Sequence, residues 1–132
     1  FDLIIMDAFT SDAVPVHLIT RDAFERVYLP KLKPGGLIAV NVSNRHVRLW
    51  PVLGTIAESL GLTGRYRFDG INTEAERAYA KKESAWVVIA RSDHDLGELG
   101  RQHDRWRKLP VDPKRRPWTD EYSNILGALS WR

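Results

Sequence analysis

Four consecutive apolar residues, Leu3-Ile4-Ile5-Met6, open the chain between Asp2 and Asp7. A short unbroken apolar run predicts a strand covered on both faces, as in a parallel sheet. Leu37-Ile38-Ala39-Val40-Asn41-Val42-Ser43 and Trp86-Val87-Val88-Ile89-Ala90 predict two more such strands. Between the first two, residues 8 to 16 read as a loop punctuated by Thr10, Ser11, Asp12 and Pro15. Thr20 reads as an N-cap and Asp22 as a first-turn acid. Ala23, Phe24, Val27 and Tyr28 make the apolar stripe of a helix that ends near Pro30. Lys31 to Gly36 is a basic helix end and a tight turn. The spacing predicts a right-handed βαβ unit.

Further along, Trp50, Leu53, Ile56, Ala57 and Leu60 predict a helix over about residues 49 to 60, closed by Gly61. Arg65-Tyr66-Arg67-Phe68 alternates like an edge strand, and residues 72 to 82 read as a mobile loop or a short helix. Residues 93 to 108 suit a surface helix weakened by Gly97 and Gly100, and a last short helix is expected within residues 118 to 126. Trp50 and Trp86 are expected in the core. The fold class is therefore α/β, with a mostly parallel sheet and an antiparallel edge. A chain that starts on a core strand reads as the second half of a larger domain. Ligands of such folds sit at the carboxyl ends of the strands, where Asp7 falls.

With 132 residues and 43% hydrophobic content, there is enough for one modest core. No stretch approaches the roughly 20 apolar residues that span a bilayer, and no secretory signal pattern is present. The expected location is cytoplasmic, with membrane attachment of the intact protein left to segments outside this sequence. The absence of cysteine excludes disulfides and thiolate chemistry among these residues. His17, His46, His94 and His103 are scattered, so no metal is expected. The net charge of +3 is unevenly spread: residues 1 to 30 are acidic and residues 101 to 116 basic. The basic stretch lacks stacking motifs and reads as a solvated face, so no nucleic-acid partner is expected.

Three stretches together carry a resemblance: Asp7-Ala8-Phe9-Thr10-Ser11-Asp12-Ala13-Val14-Pro15-Val16-His17-Leu18, Asn41-Val42-Ser43-Asn44-Arg45 and Trp118-Thr119-Asp120-Glu121-Tyr122-Ser123-Asn124. In this order, with Lys33-Pro34-Gly35-Gly36 before the second strand, they resemble the spermidine synthase-like (polyamine aminopropyltransferase) proteins. The resemblance covers nearly the whole chain. It implies the C-terminal half of a Rossmann-like class I methyltransferase fold, without the glycine-rich half that holds the adenosyl group. Gly35-Gly36 follows a helix rather than a strand and is no substitute for that loop. The family's Asp-x-x-Asp-Pro arrangement is altered, since Asp7 and Asp12 are five apart and Pro15 lies further on.

The resemblance implies transfer of an aminopropyl group from decarboxylated S-adenosylmethionine to a diamine such as putrescine, with Asp7 catalytic. It also implies a homodimer and a missing N-terminal half as partner. A free amine has a pKa near that of lysine, about 10.4, and arrives as an ammonium. A carboxylate at a strand end can hold that cation and accept its proton during attack. Asp12, Asp120 and Glu121 are candidates for the second ammonium, or else a turn residue and helix-terminal acids capped by Thr119. Tyr122 and Trp118 are candidate aromatic walls, and Ala8 and Phe9 lie where an adenine would pack. Asn41, Ser43 and Asn44 either line the crevice or satisfy the loop backbone. The alternatives are a methyltransferase using S-adenosylmethionine itself, a non-catalytic domain that retains the fold, and nucleic-acid binding.

Overall fold

A computed structural model describes residues 1–8, 14–44 and 46–129. Five strands form one sheet: β1 (Leu3–Met6), β2 (Leu37–Asn41), β3 (Thr63–Asp69), β4 (Ser84–Ala90) and β5 (Arg107–Lys108). Their spatial order is β1-β2-β4-β3-β5. β1 and β2 pair in parallel, with Leu3 beside Leu37 and Met6 beside Val40. The other neighbours are antiparallel. The fold is thus mixed α/β with a single parallel pair, which corrects the expectation of a mostly parallel sheet. The cause is β4, which turns back after β3 and inserts, reversed, between β2 and β3. β1, β2 and β3 nevertheless point the same way, because β2 and β3 are each antiparallel to β4. Their carboxyl ends, with the start of β4, therefore share one edge of the sheet.

The connection from β1 to β2 is helical as expected. Thr20 caps it, accepting the Ala23 N–H at 3.1 Å. α1 (Arg21–Ala23) continues through a π turn (Phe24–Tyr28) into α2 (Leu29–Lys31). The wider turn has a reason in the sequence. Pro30 has no N–H for the Arg26 carbonyl, and its ring would crowd that carbonyl in a regular helix. The Leu29 N–H instead reaches back to the Phe24 carbonyl, five residues earlier. At the far end Arg91 donates to the carbonyls of Leu29, Leu32 and Lys33 at 2.8, 3.0 and 2.9 Å, a cation placed on a helix C-terminus.

α3 (Trp50–Ser59) carries Val52, Leu53 and Ile56 into the core, against Ile38, Val40, Val87 and Ile89 of the sheet. Gly61, with φ +66°, follows its C-cap as expected. Residues 72 to 82 contain α4 (Glu74–Ala78), started by a reciprocal capping box between Thr73 and Glu76. The proposed surface helix is broken into α5 (Asp93–Leu96) and α6 (Glu98–Arg101) at Gly97, whose φ of +55° no right-handed helix allows. Its last residues are β5, so β3 is not an edge strand. The last helix shrinks to a single 3-10 turn (Leu126–Ala128). Leu109 fills a slot between α3 and β3, and its N–H donates to the Gly64 carbonyl at 3.0 Å. Two glycines open that slot. A Cβ on Gly54 would stand 2.0 Å from the Pro110 carbonyl oxygen, and one on Gly64 would stand 2.8 Å from Leu109 Cδ2.

One face of the sheet is the main core; the other is covered only in part. Leu96, Leu99 and Trp106 pack over Val88 and Ala90. Toward β1 that cover ends, leaving Leu3 49% and Ile5 60% exposed. The reading of β1 as buried on both faces is therefore corrected: its apolar run has one covered face. Trp50 is half-buried and stacks on Tyr66, while half-buried Trp86 lies on the open face, in neither core cluster. Trp50 thus packs against the main core from its margin, whereas Trp86 falls short of the core position expected of it. No helix among the described residues is long and apolar enough to cross a membrane.

Candidate functional site

Asp7 follows the last residue of β1 and is exposed at the shared carboxyl edge. Its neighbour across the parallel pair is Asn41, the last residue of β2. Asn41 Nδ2 donates to Asp7 Oδ1 at 2.7 Å, while Asn41 Oδ1 accepts the Ser43 N–H at 2.9 Å. The second bond fixes which end of the amide faces Asp7: the donor. Asp7 makes no ion pair among the described residues. The carboxylate is thus oriented by a neutral partner and keeps acceptor capacity for a cation or a proton.

Ser43 and Asn44 serve the loop. Ser43 Oγ accepts the Ala85 N–H at 2.8 Å, and Asn44 Oδ1 accepts the N–H groups of His46 and Val47 at 2.9 Å each. Such side-chain bonds replace strand pairing where the chain leaves the sheet. Of the three polar residues ending this strand, Asn41 alone reaches Asp7.

The tail residues are placed differently from their sequence reading. Thr119 and Tyr122 close a tight turn on each other, with N–H to carbonyl distances of 2.8 and 3.2 Å, so Thr119 caps no helix. Asp120 Oδ1 accepts the Thr20 hydroxyl at 2.6 Å, and the Asp120 N–H donates to Asp22 Oδ2 at 3.0 Å. The Trp118 carbonyl accepts the Arg21 N–H at 2.7 Å. These bonds fasten the tail to the start of α1. A helix that follows a parallel strand begins at that strand's carboxyl edge, so the fastening lies at the same edge as Asp7. Asp120 is exposed but already holds a buried hydroxyl, which makes it first an anchor of the tail.

Trp118 is not a wall of any cleft. It is fully buried in the main core, and this corrects its assignment as a cation-binding face. Tyr122 is half-buried, and Arg116 of the same chain lies 4.6 Å from its ring centre. One face of Tyr122 is therefore occupied by an internal cation rather than left open for an ammonium. Glu121 is exposed and unpaired among the described residues. Ala8 is exposed just beyond Asp7, and Phe9 and Asp12 lie outside the described residues. No group of three or more His, Asp or Glu among the described residues is placed to hold a metal ion.

Sequence reasoning passed over a second polar feature of the same sheet edge. Register places Asn41 beside Trp86 and Trp86 beside Arg67, with Asp69 beside Ser84 one step further out. Asp69 takes Lys81 at 3.3 Å, and Lys81 also pairs with Glu76 at 2.7 Å. This bond, with the backbone N–H groups of Asn72 and Thr73, lowers the Glu76 carboxyl to about 2. The signal was available in the alternation Ser84-Trp86-Val88 against Ala85-Val87-Ile89, which gives β4 two unlike faces. Searches against protein-family models, curated proteins and solved structures give no match to this chain.

Proposed function

We propose that the chain is part of a spermidine synthase-like transferase domain in which Asp7 receives the attacking amine of a diamine. The observation that carries the reading is the Asn41–Asp7 hydrogen bond at the carboxyl edge of a parallel strand–helix–strand unit. A neutral amide orients the carboxylate without cancelling its charge, so an incoming ammonium meets an anion that has no ion-pair partner among the described residues. As the amine attacks the carbon beside the sulfonium of decarboxylated S-adenosylmethionine, its proton passes to an Asp7 oxygen and the C–S bond breaks. The electron pair of that bond leaves with sulfur as a neutral thioether. Proton acceptance by a positioned group contributes roughly 10²–10⁴-fold to such steps.

The test is spermidine formation by the full-length protein supplied with decarboxylated S-adenosylmethionine and putrescine. Asp7→Asn is expected to lower kcat by at least about 100-fold. Asn41→Ala is expected to lower it about tenfold, since a single orienting hydrogen bond is lost. Equal turnover in the parent and the Asp7→Asn protein, or none in either, removes the proposal.

A non-catalytic domain is the second reading, favoured by the prior engagement of Asp120 by Thr20 and of Tyr122 by Arg116. Flat calorimetric titrations with putrescine and with methylthioadenosine select it.

A further inference from the structure

The partly covered sheet face holds a groove of about 380 Å³, within the roughly 300–1,000 Å³ range of small-molecule sites. Its shape follows from the residues. Leu96, Leu99 and Trp106 cover the face as far as Val88, and beyond Trp106 the cover stops. The small residues Ala39 and Ser84 line it with Val88. Trp86, Trp106, Arg67 and Asp69 complete its lining.

Two properties define what it accepts. Among the described residues the ring–ring contacts are Phe24 with Tyr28 and Trp50 with Tyr66, so neither groove indole has an aromatic partner. Both are half-buried, leaving π-surface accessible. Arg67 approaches Asp69 only to 4.0 Å, beyond hydrogen-bonding distance, and Asp69 is held closer by Lys81 at 3.3 Å. The guanidinium therefore keeps free N–H donors, beside an Asp69 carboxylate that lines the same groove and is engaged more closely by Lys81. Flat rings stack on indole, and a planar guanidinium binds carboxylate or phosphate in a fork.

We infer that this groove binds a planar aromatic anion, its ring against Trp86 and Trp106 and its negative group on Arg67. The site shares no residue with the Asp7 site. Aromatic carboxylates and nucleoside monophosphates share this chemistry.

The test follows the indole N–H signals of the ¹⁵N-labelled full-length protein during titration with indole-3-acetate and, separately, uridine 5′-monophosphate. Trp86→Phe and Trp106→Phe variants assign the two signals. Saturable shifts confined to Trp86 and Trp106 are expected with at least one probe, and the probe that binds identifies the source of the anion. Arg67→Gln is expected to weaken that probe about tenfold, and Arg67→Lys to restore part of the loss. Neutral uridine is expected to be insensitive to either substitution. No saturable shift with either probe, or equal affinity in the parent and the Arg67→Gln protein, overturns the inference.

Discussion

Replacing Gly54 with alanine pits a local preference against a tertiary contact. Gly54 lies inside α3, where alanine ordinarily stabilises a helix by about 1 kcal/mol. Here the added Cβ would meet the Pro110 carbonyl oxygen at 2.0 Å and Leu109 Cγ at 3.4 Å. The oxygen belongs to the backbone, so no rotamer change relieves the overlap. Either the helix shifts, costing about 1–3 kcal/mol of overpacking, or residues 109 and 110 withdraw. Withdrawal exposes Leu109, losing about 1.5–3 kcal/mol of burial, together with about 1 kcal/mol for its bond to Gly64. After the helical gain, the shift leaves a net loss of up to about 2 kcal/mol and the withdrawal one of about 1.5–3 kcal/mol. Urea unfolding followed by far-ultraviolet circular dichroism is expected to show a midpoint lower by about 1 M. Gly61→Ala is the control: with open space around it, its φ of +66° alone should cost about 1 kcal/mol. A Gly54→Ala midpoint at or above that of the parent refutes the slot as described.

Arg91→Ala removes the donor shared by three helix-end carbonyls and is expected to cost about 1–2 kcal/mol, read from thermal unfolding. Trp118→Ala empties a fully buried site and should cost about 3–5 kcal/mol by urea titration. Trp118→Phe should cost much less, because it also removes an indole N–H with no acceptor among the described residues. For Glu76 the folded carboxyl lies at about 2, below its ordinary 4.5, first through its bond from Lys81. Its contribution is complete above pH 4.5 and is lost as pH falls through about 2. Carboxyl-carbon NMR should therefore give a midpoint near 2, moving upward in Lys81→Met; an ordinary midpoint in the parent contradicts the capping geometry.

Local signals were legible in the sequence where local chemistry decides the outcome. Thr20 as a cap, Gly61 after α3 and the apolar β4 run all rest on neighbouring residues, and all are found as expected. What local pattern could not convey was partner choice. Residues 107 and 108 lie in a polar stretch, and only the exposed edge of β3 makes them a strand. Gly97 weakens a helix on any propensity scale, but its positive φ depends on how α5 docks on β4. The apolar run of β1 fits full burial equally well, because the run does not record how much covers its second face. At the site, Asp7 was legible as a strand-end acid, whereas its bond to Asn41 needed the strand register. Trp118-Thr119-Asp120 looked like a helix start and proved to be a buried plug and an anchor.

β4 has a temporal consequence. It lies between β2 and β3 in the sheet yet follows both in the chain, and β2 and β3 touch through it rather than each other. A nascent polypeptide that has emerged only as far as Glu83 can zip β1 to β2, but its β3 has nothing to hold on to. Pairings between distant stretches of chain assemble slowly. Until Ser84–Ala90 arrives, the edges of β2 and β3 that it will join stay unpaired, with a gap between them. Other chains can fill that gap, which makes this interval the one in which aggregation competes with folding.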